Sequence, residues 1–91
     1  MGLANNHTLD QGPLGLEQTR ASLRQAGLTP YGHPAWNSVP EVTRIDLAGA
    51  PVLVVGLNAT EPYFQFVRKT AFLRQLRTEN PRALIAVSIH W

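Results

Sequence analysis

Asn5-Asn6-His7, with Asp10 close behind, stands just ahead of a stretch that reads as a helix. His90 stands at the carboxyl end of a continuous apolar run. An asparagine amide oxygen and a neutral imidazole can each ligate a divalent metal. An imidazole held by a nearby carboxylate can serve as a general acid. In open α/β sheets, ligands collect beyond the carboxyl ends of strands, often beside helix N-termini. Both segments fit that placement. The plain alternatives are structural: an Asn cluster as turn and capping chemistry, and a histidine that is only a solvated end.

The surrounding pattern predicts helix, β-hairpin, helix and strand, an α/β arrangement. The first helix starts near Pro13, with Gly12 as N-cap and Gly27 as the C′ glycine. Leu16, Leu23 and Ala26 form its buried stripe, with Thr19 on the same face. Arg20 and Arg24 point elsewhere, and Glu17 supports Arg20 at i,i+3. Residues 28–40 carry Pro30, Gly32, Pro34 and Pro40, so they read as a loop or a very short strand. Val42–Leu47 alternates, with Arg44 and Asp46 on one face, and predicts a half-exposed strand. Ala48-Gly49 is turn chemistry. Val52–Val55 is continuously apolar, suiting a strand covered on both faces and paired antiparallel with its predecessor.

The second helix is expected from about Glu61 to Glu79, with Thr60 as N-cap and Pro62 in its first turn. Phe66, Thr70, Leu73 and Leu76 give its apolar face. Arg68, Lys69, Arg74 and Arg77 fall on the remainder. They read as a solvated face that complements the helix dipole. Ala83–Ile89 is again continuously apolar and predicts a buried strand.

Composition narrows the classes. Eight basic against six acidic residues give +2, too mild for a nucleic-acid footprint. With no cysteine, disulfides and thiolate zinc sites are excluded. No run approaches the roughly 18 apolar residues of a membrane span. Met-Gly-Leu-Ala-Asn-Asn-His lacks the basic-then-apolar order of a signal peptide. At 91 residues there is room for one domain at most, burying only about 60–65% of its unfolded surface.

The spacing Leu3-Ala-Asn-Asn-His-Thr-Leu-Asp10, then Gly12, Gly15-Leu16, Thr19, Leu23 and Ala26-Gly27-Leu28, resembles the signature block of the bacterial capsule synthesis protein CapA family, the poly-γ-glutamate capsule proteins. Val87-Ser-Ile-His-Trp91 resembles the first part of that family's second hallmark, a strand ending in His-Trp-Gly. The likeness covers essentially the whole chain. It implies a metallophosphoesterase-like fold, part of a layered calcineurin-like α/β sandwich. It implies that Asn6 and His90 are metal ligands for manganese, zinc or iron, and that His7 is the catalytic histidine with Asp10 as its acid. Thr8 departs from the superfamily, which places a carboxylate directly after that histidine. His33 has no counterpart and reads as a surface-loop histidine.

Relatives of this kind are several times longer, so the resemblance implies a fragment, residues 1–91, from the middle of one such domain. It also implies a poly-γ-glutamate or phosphoester substrate, without nucleic acid. The setting it implies is the bacterial cell surface or a membrane-anchored extracytoplasmic protein. The fragment alone is expected to hydrolyse nothing, and its strand edges to favour self-association. The competing reading is a small α/β binding module whose basic second helix meets an acidic partner without catalysis.

Overall fold

The computed structural model describes residues 1–35, 40–60 and 64–91, with the side chains of 64–66 left aside. Its elements run α1 (Gly12–Gln25), β1 (Val42–Leu47), β2 (Ala50–Asn58), α2 (Phe64–Glu79) and β3 (Leu84–His90). The expected order of helix, hairpin, helix and strand is present.

β1 and β2 pair antiparallel, from Val42 opposite Val55 to Leu47 opposite Ala50. Ala48 and Gly49 both take positive φ, 50° and 81°. That is the turn form whose twist matches the strands it joins. β2 runs on to Asn58, beyond the expected Val52–Val55. There it pairs in parallel with β3, Val52 opposite Leu84 through Asn58 opposite His90. The sheet order is β1-β2-β3, and α2 supplies the crossover that a parallel pair requires.

Alternation along β2 sends Leu53, Val55 and Leu57 to one face. With Leu76 of α2 they form the buried core, joined by Phe72, Leu73, Ala83 and Ile85. The opposite face carries Val54, Gly56 and Asn58. On it lies the N-terminal segment. The Met1 ammonium donates to Thr29 O at 2.9 Å. Tyr31 N donates to Met1 O, and Leu3 N to Tyr31 O, each at 2.9 Å. Three small residues let these backbones touch. A Cβ on Gly32 would lie 2.9 Å from Ala4 Cβ and 3.1 Å from Gly56 Cα. Gly32 also has φ +78°, which favours glycine.

Several expectations change. β3 is not a buried strand: Leu84 is 62% exposed, and Val87 and Ile89 are also exposed. It pairs on one side only, so its apolar run has cover from β2 and part of α2 and nothing beyond, among the described residues. On α1, Leu16 is buried and Leu23 half-buried, but Thr19 and Ala26 are exposed. Arg20 turns inward instead of away. Its guanidinium donates to Gly32 O at 3.1 Å and to the Glu41 carboxylate at 2.9 Å. Glu41, not Glu17, is its ion partner, because the linker crosses that face of α1.

The N-cap of α1 is Gln11, without a side-chain cap bond. The C-terminus ends as expected on Gly27, φ +73°. Leu28 N bonds Leu23 O and Gly27 N bonds Arg24 O, the paired closure of a glycine-terminated helix. The Thr60 N–H and hydroxyl both donate to Asn58 Oδ1. Its expected cap of α2, with the first turn at 61–63 and the Phe66 side chain, falls outside the described residues.

Candidate metal and anion rim

The carboxyl ends of β2 and β3 lie side by side, and the register places His90 on the same sheet face as Gly56 and Asn58. That is the face on which Ala4 and Gly32 pack. The segment leaving Ala4 therefore arrives over the end of β3. His90 Nε2 stands 2.8 Å from Asn6 Oδ1, a contact across 84 positions. An amide oxygen only accepts, so Nε2 carries the proton here and Nδ1 is the bare nitrogen of the neutral ring.

The loop between Asn5 and Asp10 holds its own shape. His7 N donates to Asn5 Oδ1 at 3.0 Å, a side-chain-closed turn. Asp10 N donates to His7 O, and Gly12 N to Leu9 O. The His7 ring meets Asp10, Nδ1 to Oδ2 at 3.0 Å. Both side chains are well exposed, 77% and 60%. Solvent screens the pair, so it orients the ring rather than contributing appreciable stability. With Nδ1 on the carboxylate, Nε2 of His7 faces water.

The structure thus joins Asn6 to His90 and His7 to Asp10. The third histidine, His33, is spent within the linker. Its Nδ1 accepts from Ala35 N at 3.0 Å, which closes a turn of the linker.

Asn58 is a rim residue that sequence reading passed over. It is 4% exposed. Its Nδ2 donates to Pro34 O at 2.8 Å, and its Oδ1 accepts from Thr60. Its carbonyl accepts from the Lys69 ammonium. Next to it, Ala59 N donates to His90 O at 2.7 Å. Both ends of the Asn58 amide are committed, so it fixes the rim and is not available as a ligand. The available signal was a lone amide closing an apolar β run.

Lys69 leaves the expected basic face. It is 7% exposed, and Arg77 turns to the carbonyls of Asn80, Pro81 and Ala83. Burial holds the Lys69 ammonium below its ordinary 10.5, because desolvation disfavours the charged form. The folded pKa lies under the unfolded one, so the unfolded chain binds more protons between the two. Stability therefore rises as pH climbs through that window toward 10.5. Lys69 is the only lysine. Urea midpoints of the chain are expected to rise, relative to Lys69→Met, which lacks the group, as pH climbs toward 10.5. Parallel pH profiles for the two would refute this.

Among the described residues no three His, Cys, Asp or Glu side chains cluster as a metal cage, and no helix is long and apolar enough to cross a membrane. The whole chain, residues 1–91, matches the family model described as bacterial capsule synthesis protein PGA_cap. No curated protein and no solved structure matches.

Proposed function

The chain belongs to the bacterial capsule synthesis protein PGA_cap family, and on that premise we propose that its rim is part of a metal-dependent, phosphoesterase-like site. The observation that carries this reading is the meeting of Asn6 and His90. The observed 2.8 Å is a hydrogen bond from His90 Nε2 to Asn6 Oδ1; a cation held by these two atoms would take the place of that proton, which moves to Nδ1 in the other neutral tautomer. One amide oxygen and one imidazole suit manganese, zinc or iron.

A divalent ion there supplies Lewis-acid polarisation of a phosphoryl or related oxygen. Asn6 and His90 hold it at the strand ends. Asp10 would hold the Nδ1 proton of His7, and from the imidazolium form the exposed Nε2 would give its proton to a leaving oxygen, returning the ring to the neutral Nδ1–H tautomer. The substrate in this reading is a phosphoester or poly-γ-glutamate, handled at the bacterial cell surface. The elements then form part of a calcineurin-like layered sandwich. The competing docking face on α2 is weakened by the loss of Lys69 to the interior, which leaves Arg68, Arg74 and Arg77 exposed, the last of them bonded to the carbonyls that follow the helix.

Two ligands are fewer than the three of a firm catalytic site. Calorimetric titration of the chain with manganese is expected to give weak binding, on the order of 0.1–1 mM, and no hydrolysis of a model phosphoester. His90→Ala and Asn6→Ala are each expected to abolish that binding. Binding that survives both substitutions, or none at all, would overturn the proposal.

A further inference from the structure

A cleft of about 190 Å³ opens beside His90. Its lining includes Asn5, Tyr31, Gly56 and Ser88 as well as His90, and no carboxylate. Small residues keep it open: a Cβ on Gly2 would come within 3.0 Å of Tyr31 Oη, and one on Gly56 within 3.3 Å of Tyr31 Cδ2. Ser88 sits opposite Gly56 in the parallel register and two residues before His90. It therefore shares the face of His90.

The polar atoms here are unspent. Asn5 uses Oδ1 on His7 N–H, which leaves both Nδ2 protons. Neither the Tyr31 hydroxyl nor the Ser88 hydroxyl has a hydrogen-bond partner among the described residues. A wall of neutral donors with no acid in it, in a chain of net charge +2, suits a compact group that accepts several hydrogen bonds and carries negative charge.

We propose that this cleft is an oxyanion subsite, in which Asn5, Tyr31 and Ser88 bind a carboxylate or phosphate group of a ligand whose remainder reaches Asn6 and His90. Its role in function rests on the metal-rim reading above, whereas its occupancy does not. Tyr31 and Ser88 are then specificity residues, choosing ligands with an oxyanion at a fixed distance from the rim.

The test is a ¹H–¹⁵N titration of the chain with inorganic phosphate and, separately, with acetate, at constant ionic strength and without metal. Saturable shifts are expected at Asn5, Gly56, Ser88 and His90. Saturation by phosphate alone assigns a phosphoryl group, by acetate alone a carboxylate, and by both the shared chemistry. Ser88→Ala and Tyr31→Phe are each expected to weaken binding about five- to tenfold, the worth of one hydrogen bond, while Arg68→Ala binds as the parent does. Absence of saturable shifts, unchanged binding in both hydroxyl variants, or shifts confined to Arg68 and Arg74 would overturn the subsite. A manganese titration of the same sample, read by line broadening at Asn6 and His90, separates the two readings. Broadening without anion shifts sinks the subsite alone, and anion shifts without broadening sink the metal rim alone.

Discussion

Gly56→Val is expected to destabilise the chain by about 3 kcal/mol, at the upper end for overpacking a tight site. A Cβ at Gly56 would meet Ala4 Cβ at 3.0 Å and Gly32 Cα at 3.1 Å. The second of these is backbone and cannot rotate away. Relief requires the N-terminal segment to lift from β2, and that segment delivers Asn6 to His90. The loss should therefore appear twice. Thermal unfolding should show a midpoint lowered by more than about 10 °C. In whatever folded protein remains, the His90 imidazole resonances should report loss of the Asn6 hydrogen bond. A Gly56→Val variant that melts with the parent would show that the three backbones do not approach as described.

Leu76→Ala is expected to cost about 3 kcal/mol through the opposite face of the sheet, within the range for buried leucine truncation. Leu76 is 7% exposed and, among the described residues, is the buried apolar side chain that α2 adds to a core of Leu53, Val55 and Leu57. A domain of this size has total stability on the order of 5 kcal/mol. The truncation should leave about 2 kcal/mol, so only a few per cent of the chain unfolds at room temperature, and the loss should be read as a melt lowered by more than about 10 °C. Leu73 is half-buried at the same interface, and Leu73→Ala is expected to cost clearly less. Equal losses for the two would mean that α2 packs on a different stripe.

The elements were legible because their signals are local. A two-residue period gives β1, a positive-φ Ala-Gly pair gives its turn, and a glycine closes α1. What stayed hidden depends on which neighbours exist. The apolar run of β3 announces a strand that needs cover, and only the fold shows that its outer edge and much of its surface lack it. Arg20 and Lys69 are charged, so spacing assigns them to solvent. The linker carbonyl of Gly32 and the Asn58 carbonyl draw them inward instead. The approach of Asn6 to His90 was expected from the rule about strand ends. The parity that turns His90 toward Gly56, and away from α2, needed the β2–β3 register. Asn58 was missed because a buried amide at a strand end and a turn asparagine look the same in sequence.

The Asn6–His90 contact spans 84 positions, and that separation has a kinetic consequence. Bringing such distant points together costs chain-closure entropy before any reward is collected, so contacts of this range slow assembly relative to hairpins and helices. The rim should consolidate after the β1–β2 hairpin has formed, and it should be among the first parts to open under native conditions. Amide exchange at Asn5 to Asp10 should then outpace that in β2, which gives the rim a supply of transient open states through which a ligand can enter.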